Sequence, residues 1–233
     1  MELWQGLVRA LELLAAFDEE VMEIAGLSLV VSIASSAIAA CLFIPIACLI
    51  HFGRVPAKRW LVAAIQTFYS VPTVLVGLLV FLTFSRRGPL GTLSLMFTPQ
   101  LMVIGQVILV GPIVLGLVLS ALAGIDQKVK QTALSLGASD VQAATLVMRE
   151  ARYAMLTAIT MGFGRAISEV GLALMVGGNI RGFTRTLTTA ISLETSKGDV
   201  ELSLALGMIL LAIALIVNVI MNRLQQVKIG STD

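Results

Sequence analysis

The chain of 233 residues is too apolar and too weakly charged to cover a water-exposed surface. Hydrophobic residues make up 58% of it, against roughly 45–50% in soluble domains, and charged residues 13%, where about 25% is usual. This composition excludes a soluble globular enzyme and indicates a membrane protein. The formal net charge of +2 is too balanced to neutralise a phosphate backbone, so nucleic acid is excluded as a partner.

Residues 1–23 are predicted to form an amphipathic segment that lies along the membrane interface on its outer side. Apolar residues fall on one helical stripe, with Gln5, Arg9 and Glu12 away from it. A short additional span is the alternative, which Arg9 and Glu12 make costly. The residues of this stripe are Leu3, Leu7, Leu11 and Leu14.

Five apolar runs are long enough to cross a bilayer, which requires about 20 residues. Four carry no charge, and the fifth contains only Arg165 and Glu169 as charged residues. Prolines 45, 72 and 112 fall inside three runs, where kinks are expected. The sequence therefore predicts an all-α membrane domain over 24–222 and a tail over 223–233. The spans are predicted at 24–50, 60–84, 101–125, 155–176 and 202–222.

The orientation follows from the basic residues of the connections, because these residues are retained on the cytoplasmic side. Nine Lys and Arg residues lie on the face of the first and third connections and the C-terminus, and six lie on the other. We therefore expect the N-terminus outside and the C-terminus in the cytoplasm. The nine include Arg54 and Lys228.

The third connection, 126–153, is longer than the two to eight residues that usually join antiparallel helices. Residues 127–136 are typical of a helix, Gly137 of its end, and Ser139 with Gln142 of a capping box that opens a second helix. The second helix carries an apolar stripe. It packs either on a partner protein or on this chain's own helix ends. The stripe consists of Val141, Ala144, Met148 and Ala151.

The sequence offers no chemistry for catalysis. His51 is the only histidine, and Cys41 and Cys48 are too far apart along one helix for a disulfide. The string GxxxxGK[ST] is absent, so the chain has no visible ATP site and its energy must come from another subunit.

Two stretches resemble a known family. Gln131-Thr132-Ala133, followed after three residues by Gly137, resembles the EAA loop of ABC importer permeases, although Gln131 and Thr132 replace the motif's Glu and Ala. The stretch GFGRAISEVGLALMVGGNIRGFTRTLTTAI at 162–191 resembles oxyanion permeases of the molybdate, sulfate and tungstate group, most closely those for tungstate. SRRGPLG at 85–91 and ETSKGD at 194–199 extend this likeness over nearly the whole chain.

The resemblance implies a type I ABC importer permease fold in a prokaryotic inner membrane. It also implies a homodimer, two copies of an ATPase subunit that binds ATP and Mg²⁺, and an extracytoplasmic oxyanion-binding protein. No cofactor or metal is expected in this chain itself. The residues that it places at the ATPase-coupling surface are Gln131, Thr132, Ala133, Gly137, Ala138, Ser139 and Val141.

The candidate substrate pathway contains an ion pair and a polar loop. Arg165 and Glu169 are four residues apart, so they either neutralise each other structurally or place a cation along an anion pathway. The polar loop at 184–188 carries hydroxyl groups and a guanidinium. These groups either bind a tetrahedral oxyanion, contact a docked binding protein, or simply face solvent. Pro72 and Thr73 either shape a constriction or mark an ordinary kink. The loop residues are Thr184, Arg185, Thr186 and Thr188.

Three other functions compete with tungstate import. A molybdate or sulfate permease would leave nearly the same sequence. An ion-coupled secondary transporter or channel is disfavoured by the partner-like loop 126–153 and by the lack of several buried carboxylates. An intramembrane protease would need a nucleophile and a base, and no GxSxG string is present.

Overall fold

A computed structural model describes residues 2–16, 18–53 and 55–226 of the protein. The described residues form α-helices, two single 3₁₀ turns and no strand, as the predicted all-α class requires. The predicted positions Arg54 and Lys228 lie outside the described residues, as do 227–233 of the tail. The helices are α1 Glu2–Ala15, α2 Glu19–Phe52, α3 Lys58–Thr67, α4 Thr73–Phe84, α5 Pro99–Ala123, α6 Gln127–Ser135, α7 Asp140–Glu150, α8 Arg152–Ile167, α9 Gly171–Gly177, α10 Leu187–Lys197 and α11 Val200–Gln226.

Within the described ranges three helices, α2, α5 and α11, are long and apolar enough to cross a membrane. The two remaining predicted spans are bent pairs of helices rather than continuous helices, and only the bend at Pro72 was expected. α3 and its 3₁₀ turn meet α4 at 93°, and α8 meets α9 at 61°, so five spans result if each bent pair crosses once. Helix α2 also begins earlier than predicted, because Asp18 caps it by accepting a hydrogen bond from Val21 N.

The three prolines of the spans have different effects on the helices. Pro45 and Pro112 lie inside α2 and α5, which continue through them. Pro72 stands directly before α4, at the 93° break. A proline cannot donate a backbone hydrogen bond, so it fits best at the first turn of a new helix. The predicted kink is therefore strongest at Pro72.

Helix α5 is the central element of the bundle and packs against α2, α8 and α9. Its residues Val110, Val114 and Val118 are fully buried and join α2 and α8 in one apolar cluster. Apolar side chains on α4 and α11, such as Leu79 and Leu215, are instead more than half exposed. In a bilayer such side chains face lipid tails, which are as apolar as leucine.

The N-terminal helix packs on the last helix of the chain. α1 lies along α11, and Leu13 joins a buried cluster that includes Leu206 and Ile209. Leu13 is 7% exposed, whereas Leu11 of the predicted stripe is 59% exposed and so remains available to face the membrane interface. The side chains of Leu3, Leu7 and Leu14 lie outside the described residues. Packing on α11 is thus a tertiary contact that the stripe alone did not indicate.

Buried polar side chains tie the long helices together. The Gln106 side chain on α5 accepts a hydrogen bond from Ser35 Oγ of α2 at 2.9 Å and donates to Ala166 O of α8 at 3.3 Å. Ser28 Oγ on α2 accepts from Leu187 N, at the start of α10. Hydrogen bonds between membrane helices are each worth about 1 kcal/mol. The sequence analysis did not single out these residues.

Candidate functional site

The charged pair predicted inside the span 155–176 is present at the break between α8 and α9. Arg165 Nη1 lies 2.9 Å from Glu169 Oε2, which confirms the predicted pairing. The two partners differ in exposure, because the Glu169 side chain is 2% exposed and the Arg165 side chain 33%. The guanidinium is therefore reachable from outside the chain while its counter-charge is enclosed.

Glu169 also holds the interrupted backbone in place. Its Oε1 accepts a hydrogen bond from Leu172 N in the first turn of α9, at 2.9 Å. Its main-chain carbonyl accepts from Thr188 Oγ1 of α10, at 2.7 Å. Free backbone groups at membrane depth must find partners inside the protein. Glu169 is part of two such bonds: its carboxylate accepts from the Leu172 N–H, and its own carbonyl accepts from the Thr188 hydroxyl. The carboxylate thus has a structural task besides neutralising Arg165.

The two interrupted spans meet at their breaks, around Gly171. A methyl group added at Gly171 would lie 3.1 Å from Thr73 Oγ1, 2.9 Å from Val74 Cγ2 and 3.6 Å from Glu169 Oε1. The start of α4, directly after Pro72, therefore packs against Gly171, two residues beyond Glu169. Non-helical backbone at this depth is tolerated where protein encloses it or where it lines a polar cavity. The structure thus brings Thr73 to Gly171, in the segment that directly follows the Arg165–Glu169 pair.

One face of α8 is exposed and partly polar. Thr157, Met161 and Ser168 are exposed, and Gly164 and Arg165 are half-buried, at helical spacings of three and four. No atom of another helix lies within 4 Å of the place where a Gly164 side chain would begin. The Thr157 and Ser168 hydroxyls donate to the carbonyls of Tyr153 and Gly164, so they could face lipid. The Arg165 guanidinium would be costly there and requires a polar path or another protein surface.

The predicted loop threonines are buried rather than offered to solution. Thr184, Thr186 and Thr188 are at most 6% exposed. Thr184 Oγ1 donates to Gly177 O at 2.6 Å and accepts from Ile180 N. The expectation that these threonines offer free hydroxyl donors is therefore wrong for this chain. The reason is that α10 begins at Leu187, so these residues fold back against α9.

Arg185 belongs to a second ion-pair network, at the start of α2. Glu20 accepts hydrogen bonds from Arg181 Nε at 2.9 Å and Nη2 at 2.6 Å, and from Arg185 Nη1 at 3.2 Å. The hydrogen bond with Glu20, together with its charge, raises the pKa of Arg181. Arg185 Nε is buried without a hydrogen-bond partner in the described chain. The network anchors the loop before α10 to α2.

The connection 126–153 has the predicted local structure. Gly137 has a φ of +88°, between α6 and α7. Ser139 Oγ accepts from Gln142 N, and Gln142 Oε1 accepts from Ser139 N, which confirms the capping box. Ala138 N donates to Ala133 O across the turn, the pattern of a helix that ends on a left-handed glycine.

The surface around Gly137 is apolar and open. Leu136 is 84% exposed, Val141 75% and Leu134 40%. Gln131, Thr132 and Ser139 are exposed as well, whereas Ala133 is buried and Ala138 half-buried. Leu134 and Leu136 were not predicted to belong to this surface, although both lie beside Gly137 in the sequence. Three apolar side chains are therefore exposed around one turn of this connection.

The predicted stripe on α7 is only partly correct. Ala143, Val147 and Ala151 form the buried face, and Val147 and Ala151 join the cluster of α2 and α5. Ala144 and Met148 are half-buried, and Met148 Sδ lies 3.2 Å from Cys48 Sγ of α2. Val141 shares the face of Met148 but lies in the first turn of α7, where it is 75% exposed. Both interpretations of the stripe therefore apply, to different ends of it.

Comparison with known proteins agrees with a polytopic, all-helical membrane protein. Residues 43–228 match the family described as binding-protein-dependent transport system inner membrane component, and the chain belongs to this family. A probable anion ABC transporter permease protein of Haloferax volcanii is 45% identical over 202 residues, covering 84% of this chain and 87% of that protein.

Two relatives align over almost their full length. The tungstate uptake system permease protein of Peptoclostridium acidaminophilum is 39% identical over 222 residues, covering 95% of this chain and 97% of that protein. Its counterpart in Campylobacter jejuni is 35% identical over 224 residues, covering 96% and 94%. These matches confirm the resemblance to ABC importer permeases of the oxyanion group.

Proposed function

We propose that the chain is the membrane-spanning subunit of an ATP-driven importer for tungstate. Two tungstate permeases that align over more than nine-tenths of their length support this substrate. The observation that carries the proposal is that the two interrupted spans meet close to Arg165, whose guanidinium is partly exposed. An oxyanion needs such a fixed cation along its path. Molybdate and sulfate are the competing substrates.

In this proposal Arg165 faces the path and Glu169 fixes its position. The exposed face of α8 lines the path together with the same face of a second copy, so two guanidinium groups serve one anion. Glu169 prevents the site from retaining the anion too tightly, since it offsets much of the positive charge. Thr73 contributes to the constriction between the two breaks.

Partner subunits supply the energy and the substrate. The apolar surface around Gly137 docks on an ATPase subunit, two copies of which bind ATP and Mg²⁺. An extracytoplasmic binding protein delivers the oxyanion to the opposite face. Closure of the ATPases moves α6 and α7, which transmit the movement through Ile125 and Met155 to α5 and α8.

Reconstitution with the cognate ATPase and binding protein tests the substrate. Tungstate should stimulate ATP turnover at lower concentration than molybdate, and sulfate should be ineffective. Equal stimulation by all three anions would remove the tungstate assignment and leave a general oxyanion importer. Uptake without any ATPase subunit would instead favour the secondary transporter.

Charge substitutions on the docking surface test the coupling. Leu136→Asp and Val141→Asp should reduce the ATPase subunit that copurifies, because each places a carboxylate in an apolar contact. Leu93→Asp is the matched control, since Leu93 is 55% exposed in the connection before α5. Equal loss in all three variants would show a general folding defect, and unchanged copurification would contradict the proposed surface.

Cysteine labelling tests the orientation. In a background of Cys41→Ala and Cys48→Ala, Thr92→Cys should react with a membrane-impermeant maleimide in intact cells. Asp140→Cys should react only after permeabilisation. Both positions are exposed in the chain, so access depends on the side of the membrane. The reverse pattern would place the N-terminus inside.

A further inference from the structure

A polar cavity of about 450 Å³ lies between the end of α2, the start of α3, the end of α5 and α6. Its size is within the range of small-ligand sites. It is separate from the Arg165–Glu169 pair, none of whose residues line it. The lining side chains that carry the argument are His51, Lys58, Asp126, Gln127, Lys130 and Gln131.

The cavity has two cations that no carboxylate neutralises within the described chain. Lys58 Nζ donates to His51 O at 2.6 Å, which leaves two of its ammonium protons free for another acceptor. Lys130 Nζ lies 5.9 Å from the centre of the Phe52 ring. Among the described residues, no carboxylate oxygen lies within 4 Å of either ammonium.

The one carboxylate of the lining is already engaged. Asp126 Oδ1 accepts a hydrogen bond from Lys128 N at 2.9 Å, as the N-terminal cap of α6. Gln131 stands one turn into α6 and lines the cavity as a neutral amide, where a glutamate would add a second negative charge. Both Gln127 and Gln131 can donate amide protons. Two ammonium groups stand against one carboxylate in the lining, so the cavity carries a net positive charge and suits an anion.

We propose that this cavity binds a tetrahedral oxyanion or phosphate group between Lys58 and Lys130. The group comes either from solution, as inorganic phosphate or tungstate, or from the headgroup of an anionic phospholipid, since α2 and α3 adjoin the membrane. The site goes beyond the proposed transport function. A bound anion would join α3 to α6, and so the first connection to the segment that carries Gly137.

Tryptophan fluorescence of the full-length chain tests the site, without ATPase or binding protein. In the Trp4→Phe variant, Trp60 is the only tryptophan, and it lies two residues beyond Lys58. The chain is placed in phosphatidylcholine nanodiscs and titrated with sodium phosphate or sodium tungstate at constant ionic strength. A second arm replaces part of the phosphatidylcholine by phosphatidylglycerol. A saturable change in the first arm identifies a dissolved anion, and a change confined to the second identifies a lipid headgroup.

Three substitutions decide whether the response belongs to the cavity. Lys130→Gln and Gln131→Glu should each weaken the apparent affinity about tenfold or more, by removing a cation or adding a carboxylate. Lys128→Gln is the matched control, because it makes the same charge change on an exposed position of α6 that does not line the cavity. No saturable change in either arm, or an equal loss in Lys128→Gln, would overturn the proposal. Because no partner is present, these outcomes are independent of whether the chain transports tungstate.

Discussion

Replacing Arg165 by alanine should destabilise the bundle more than replacing its partner. In Arg165→Ala the Glu169 carboxylate, 2% exposed, loses its cation inside the protein. Stranding one member of a buried ion pair costs about 3–5 kcal/mol. For a chain of this size that corresponds to a fall of roughly 6–20 °C in the unfolding midpoint. Transport should fall as well.

Glu169→Gln should cost less, because the remaining charge is accessible. Arg165 is 33% exposed, and glutamine still offers an oxygen to Leu172 N. We expect a loss of about 1–2 kcal/mol. Arg9→Ala serves as the control, since the Arg9–Glu12 pair is 47% and 59% exposed and should contribute less than about 1 kcal/mol.

The measurement is the temperature at which half of the detergent-extracted protein leaves the monodisperse peak on size-exclusion chromatography. The expected order of midpoints is wild type and Arg9→Ala, then Glu169→Gln, then Arg165→Ala. A wild-type midpoint for Arg165→Ala would refute the argument from burial. If transport were lost at that unchanged midpoint, Arg165 would act on the substrate alone.

Three further substitutions have defined outcomes. Gly137→Val places a Cβ on a residue with φ +88°, which costs about 1–2 kcal/mol locally. It should lower both the amount of ATPase subunit retained on size-exclusion chromatography and the substrate-stimulated ATP turnover. Wild-type values of both would contradict this prediction. Gly111→Ala puts a methyl against the Phe43 ring and should lower the free energy of unfolding by about 1–3 kcal/mol, seen as a lower unfolding midpoint that Phe43→Leu restores. Ser139→Ala should cost about 1 kcal/mol and speed hydrogen exchange in the first turn of α7 alone; exchange at the wild-type rate would refute the cap.

Features that depend on neighbours within one or two turns were predictable from the sequence. The apolar runs located the membrane helices, because a bilayer rejects charge wherever it occurs in the chain. The spacing of four placed Arg165 beside Glu169, and Gly137 with Ser139 defined the turn between α6 and α7. Each of these features is local, so residue type and spacing carry it.

Features that join distant parts of the chain were decided by the tertiary structure. Thr73 and Glu169 meet at Gly171 only because two spans break and their second halves pack together. Thr184 and Thr188 look like solvent-facing donors until α9 and α10 fold over them. Hydropathy records how apolar a segment is and not which neighbour covers it, so the breaks, the buried hydroxyls and the basic cavity beside α6 became visible only in the packed bundle.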